Sequence, residues 1–99
     1  MELTRNQFVN ELVALGEDKN KFNVESEDSG VIYLSLNGCK IETSLEDGIC
    51  GEIVIFKPYT EMEVRIDFDI INAIAKEEDG SYRLELDRGM SDVVIRNVA

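Results

Sequence analysis

Residues 31–56 read VIYLSLNGCKIETSLEDGICGEIVIF, and the fold turns on how this stretch is divided. Ile32, Leu34 and Leu36 alternate with Val31, Tyr33 and Ser35, the period of a half-buried strand. Asn37-Gly38 follows, the pair most often found in two-residue hairpin turns, because both central residues of such a turn need positive φ. Read as a hairpin, the stretch pairs Leu36 with Cys39, Leu34 with Ile41 and Ile32 with Thr43. Glu46-Asp47-Gly48 then reads as a three-residue loop pairing Leu45 with Ile49, Thr43 with Gly51, Ile41 with Ile53 and Cys39 with Ile55. Both turns put the apolar residues on one face, as a buried face requires.

Upstream, the period is helical. Thr4 and Gln7 have capping-box spacing, and Leu3 and Phe8 flank the cap as a hydrophobic staple. Phe8, Val9, Leu12, Val13 and Leu15 form one apolar stripe, and Gly16 suits the position just past a helix end. Residues 17–21 read as a charged loop. Phe22 and Val24 mark a short strand, and residues 27–30 a turn.

Downstream, Lys57-Pro58-Tyr59-Thr60 is a break that holds the only proline. Met62, Val64, Ile66, Phe68 and Ile70 then alternate with Glu63, Arg65, Asp67 and Asp69. Residues 69–78 admit a two-turn helix capped by Asp69 or a continued strand in which Ile70, Asn72 and Ile74 keep phase. The strand is preferred, because Glu78-Asp79-Gly80 makes a second hairpin loop and pairs Ile74 with Leu84. A last strand covers residues 93–96. The expected architecture is α+β: an N-terminal helix packed on a curved antiparallel β-meander of six to seven strands, residues 1–99 forming a single domain.

The chain has 21 Asp and Glu against 10 Lys and Arg, a net charge of −11. That disfavours direct contact with nucleic acid phosphates or anionic membranes, which bind through Lys and Arg. It favours a basic partner by long-range attraction, although acidity also serves solubility alone. Met1 leads into a charged helix with no apolar leader, and no apolar run reaches the roughly 20 residues of a membrane span. The expected location is cytoplasmic, with Cys39 and Cys50 on opposite faces as free thiols.

Histidine is absent, which removes the usual general base and most zinc geometries. Cys50 has acidic neighbours, Asp47 and Glu52, that oppose thiolate formation. Asp67 and Asp69 share one strand face with Glu61 and Glu63 and could hold a divalent cation, but this spacing also describes an ordinary solvated face with Arg65 in its midst. Residues 48–51 lack the lysine and following helix of a phosphate loop. No catalytic residue, metal site or cofactor is therefore expected.

The remaining signal is apolar. Val31, Tyr33, Val54, Phe56 and Tyr59 fall on the face away from the helix, either as an interface patch or as a second small core. The expected function is that of a small acidic, non-enzymatic interaction protein that binds or inhibits a basic protein. Nuclease-neutralising immunity proteins and nucleic-acid mimics have this kind of composition. Tyr33, Phe56 and Tyr59 are the expected anchors, and Glu61, Glu63, Asp67 and Asp69, with Glu85 and Asp87, the field. The alternatives are a structural subunit that self-associates as a homodimer through Val31, Tyr33, Val54 and Phe56, and a small-molecule binding module with a pocket between helix and sheet.

Overall fold

The computed structural model describes residues 1–28, 31–46, 50–87 and 89–98, and for 27, 28, 31–33, 45, 46 and 50 the backbone only. The helix α1 (Arg5–Leu15) begins where the capping spacing predicts. The Gln7 backbone N–H donates to Thr4 Oγ1 at 3.1 Å, and the Thr4 N–H donates to Gln7 Oε1 at 2.8 Å, so two otherwise orphaned donors are satisfied reciprocally. Gly16 ends the helix at φ +73°, a conformation that glycine adopts without strain. Phe8 and Leu12 are buried, and Val9 and Leu15 pack against the core. Val13, placed on the apolar stripe by its spacing, is instead 71% exposed.

Eight antiparallel strands follow the order β1-β6-β7-β8-β2-β3-β4-β5. They are β1 (Glu2–Leu3), β2 (Phe22–Asp28), β3 (Val31–Glu46), β4 (Cys50–Phe56), β5 (Glu63–Asp67), β6 (Ile71–Lys76), β7 (Tyr82–Leu86) and β8 (Asp92–Asn97). The α+β class holds, but the sheet is not a simple meander. β2 is flanked by β8 as well as β3, and the two-residue β1 pairs with β6 through Leu3 and Ile74. Laid flat, the six spacings from β6 to β5 would span about 29 Å at about 4.8 Å each. Only residues 68–70 connect these two strands, and that link reaches about 14 Å at most. The sheet must therefore curl. It stays open, because no described ladder joins β5 to β1 or β6.

The hairpin expected at Asn37-Gly38 does not form. β3 runs through it as one strand of 16 residues. Leu36 lies opposite Val24 and Cys39 opposite Phe22, so two residues of β3 face the single Asn23 of β2. This is a β-bulge. Gly38 sits at φ +68° and donates its N–H to Asn23 Oδ1 at 3.2 Å. A left-handed glycine serves a hairpin turn and a bulge equally well. Here the bulge bends β3, so that its first half pairs with β2 and its second half, from Lys40, pairs with β4. The pairings Leu36–Cys39, Leu34–Ile41 and Ile32–Thr43 are therefore absent, and Leu34 is 42% exposed.

In the β3–β4 hairpin, Ile41 pairs with Ile55 and Thr43 with Ile53, a slip of two residues from the expected register. An even slip keeps every side chain on its face, so Ile41, Ile53, Ile55 and Cys39 are buried as expected. The loop containing Gly48 lies outside the described residues; Leu45 pairs with Gly51, two residues on from the expected Ile49. Burial pushes the free Cys39 thiol above its usual pKa, leaving it a small hydrophobe in the core; the Cys50 side chain lies outside the described residues.

Residues 69–78 form a strand in the main, and Ile74 pairs with Leu84 as expected. A 3-10 turn, Phe68–Ile70, interrupts it and buries Phe68. A register shift between Ile71 and Ala73 then changes phase, so that Ile71 is buried and Asn72 exposed.

One polar cluster ties α1 to the sheet. Glu11 Oε1 accepts from Lys76 Nζ at 2.6 Å and from Tyr82 Oη at 2.9 Å. The Tyr82 ring meets Phe8 edge-on at 5.2 Å. The Lys76 hydrogen bond, aided by that from Tyr82, holds the Glu11 carboxyl below its usual range against the opposing effect of burial. Burial, with the hydrogen bond to Glu11, pushes the Tyr82 phenol up to about 12 from an ordinary 10. A raised phenol pKa contributes stability that is complete below the unfolded value and lost as pH rises through the folded one. Stability should therefore fall between pH 10 and about 12, and less steeply in Tyr82→Phe. Denaturation midpoints against pH check this; parallel alkaline limbs for the two proteins would contradict it.

Candidate functional site

The outward face of β3, β4 and β5 carries three cross-strand rows. Lys40, Phe56 and Glu63 form the first, Glu42, Val54 and Arg65 the second, and Ser44, Glu52 and Asp67 the third. Their inward neighbours Ile41, Ile53, Ile55 and Ile66 are in the core. This alternation leaves half-buried Val54 and Phe56 in the middle of the face, with Glu42 and Arg65 beside the first and Lys40 and Glu63 beside the second.

A groove of about 620 Å³ runs over Val54 and Phe56 and is walled by Glu42, Glu52, Glu61, Glu63 and Arg65, with Met62 and Thr60 at one end. The turn at 57–62 closes that end: the Thr60 hydroxyl donates to the Lys57 carbonyl at 2.7 Å, and the Lys57 N–H donates to the Met62 carbonyl at 3.2 Å. Arg65 is held by Glu52, and by Glu63 at 2.8 Å. Those two carboxylates, Glu52 first, raise its pKa further above its already high value. These groups are substantially exposed, so the pairs orient side chains more than they stabilise the fold. Among the described residues, Glu42, Glu61 and Asp67 make no ion pair.

Of the residues singled out from the sequence, Phe56, Glu61 and Glu63 line this groove together. Asp67 lies on the same face, opposite Glu52. Tyr59 projects fully into solvent from the turn at φ +64°. Asp69 is apart, in the 3-10 turn, 3.8 Å from Arg5. The side chains of Val31 and Tyr33 lie outside the described residues. Their backbone belongs to the half of β3 before the bulge, whereas Val54 is opposite Glu42 after it. Glu42 and Glu52 were not singled out from the sequence as partner-binding residues; alternation puts them on the outward face in either register, and the true register sets Glu42 opposite Val54 and Glu52 opposite Ser44.

A second, smaller groove of about 350 Å³ lies between the end of α1 and β3, lined by Leu12, Val13, Gly16, Glu17, Asn20, Ile41, Glu42 and Thr43. Among the described residues, no buried side-chain nitrogen or oxygen lacks a partner, and no group of three metal-ligating side chains occurs. No described helix is long and apolar enough to cross a membrane. Comparison with protein-family models, with curated proteins and with solved structures finds no match to this chain.

Proposed function

We propose that the chain is a non-enzymatic binding protein that takes a basic protein on the outer face of β3–β5. The observation that supports this reading is the groove whose apolar floor, Val54 and Phe56, is walled among the described residues by four carboxylates and a single cation already engaged by two of them. Apolar anchors inside a charged rim suit protein recognition: the centre supplies desolvated contact and the rim supplies steering. The net charge of −11 extends that field beyond the groove. A basic nucleic-acid-binding protein suits the face, because its own surface is built to meet closely spaced negative charges. Binding there would block that protein's access to nucleic acid, which is how an inhibitor of this class acts.

Immobilised protein should capture a basic protein from its native lysate, released on raising the salt. The double variant Glu42→Lys, Glu61→Lys should weaken that binding by about tenfold or more, equivalent to about 1.4 kcal/mol. Both positions are exposed and make no described ion pair, so the fold should be unaffected. Retention that is indifferent to salt and to the double variant would overturn the reading.

A further inference from the structure

The bend in β3 leaves its second half without a described strand neighbour on the side away from β4. In an antiparallel ladder, successive residues direct their N–H and C=O to opposite sides. Past the bulge, Ile41 turns both groups away from β4. Its N–H donates to Asn20 Oδ1 and its carbonyl accepts from Asn20 Nδ2, each at 2.9 Å. Counting back from the Phe22–Cys39 pair, Asn20 occupies the place across from Ile41 that one more β2 pair would fill. Its carboxamide thus substitutes for a strand peptide at the point where β2 has ended.

Thr43 is the next residue of the same parity. Its N–H and C=O also point away from β4, but the chain that might have paired with it has turned into the 3-10 segment Glu17–Lys19. No described group bonds to the Thr43 backbone on that side. This edge opens into the smaller groove, which also contains the exposed Val13 and buried Leu12 of α1. Among the described residues, the charged ones lining the groove are Glu17 and Glu42.

We propose that this groove receives an extended, positively charged segment of the partner, which adds to β3 as a short strand at Thr43. The open N–H and C=O of Thr43 select an extended main chain, as in strand-addition recognition. Val13 receives an apolar side chain, and Glu17 and Glu42 receive Lys or Arg from alternate positions. Glu42 and Thr43 border both grooves, so the segment continues the surface proposed above; this inference rests on that reading and gives the partner's docking segment its conformation.

The test uses the isotope-labelled full chain and a capped Lys-Val-Lys-Val-Lys peptide, with a version methylated on alternate backbone nitrogens as comparison. The unmethylated peptide should shift the Thr43 amide resonance and slow its hydrogen exchange by about tenfold. Methylation should weaken binding by about tenfold, since it removes main-chain donors and leaves the charge intact. Val13→Lys, at an exposed helix position, should do the same. Binding that shifts only resonances around Val54 and Phe56, or that tolerates methylation, overturns the added strand while leaving the basic-partner reading in place. Absence of any shift also overturns it, and the salt-dependent capture then judges the broader reading separately.

Discussion

Phe8→Ala is expected to remove about 3–5 kcal/mol of stability, a large share of the roughly 5–15 kcal/mol that holds a domain of this size. Phe8 has no solvent exposure and joins three elements. It leaves the capped first turn of α1, packs in the same core as Leu3 of β1, and meets the Tyr82 ring of β7 edge-on. Truncating it opens a cavity where none of these backbones can easily follow, because Leu3 is pinned by pairing with β6 and α1 by the Thr4–Gln7 box. Urea denaturation at fixed pH measures the loss. Val13→Ala is the control: at 71% exposure it should change stability by no more than about 0.5 kcal/mol. A loss below about 1.5 kcal/mol for Phe8→Ala would mean that the helix docks by some other contact.

Gly38→Val is the second large effect, at about 1–3 kcal/mol. An added Cβ would meet no atom within 4 Å, so crowding is not the cause. The cost lies in the backbone: φ is +68°, a region that a β-branched residue strongly resists. Relaxing that angle would straighten the bulge and pull β3 away from either β2 or β4. Gly38→Asn should cost less, since asparagine tolerates the left-handed region better. Asn23→Ala tells a bulge from a turn: it removes the acceptor of the Gly38 N–H and should cost about 0.5–1.5 kcal/mol, whereas a hairpin turn would not involve Asn23. Equal stability of Gly38→Val and the parent chain would show that the bend does not depend on this residue.

What the sequence made legible follows from how local each signal is. The helix could be read because Thr4, Gln7, Leu3 and Phe8 act within a few residues of one another. The buried face of β3 and β4 could be read even with the register wrong by two, because the pleat repeats every two residues. Asn37-Gly38 misled because a left-handed glycine states only a backbone angle; whether the chain reverses or merely bends depends on β2 and Asn23. β1 is two residues long and owes its existence to β6, so no local pattern could announce it. In the site, Phe56, Glu61 and Glu63 were visible as outward positions beside a turn. Glu42 and Glu52 share the outward alternation, but which residues they sit beside, Val54 for the one and Asp67 for the other, follows only from the pairing of β3, β4 and β5. Tyr59 and Asp69 share the alternation of the others, but the turn and the 3-10 segment carry them elsewhere.

The strand order also governs when this protein can become itself. β2, β3, β4 and β5 can pair one after another as the chain lengthens. The second edge of β2 must wait for β8, however, since Phe22 pairs with Asn97 and Glu27 with Asp92. Closure so distant in sequence makes for slow folding, in the range of milliseconds to seconds for sheets of high contact order. Throughout that interval β2 is a bare edge on a half-built sheet. Its sequence, FNVESED, places Glu25, Glu27 and Asp28 along that edge, and such charges are what keep an unfinished strand from joining the wrong neighbour.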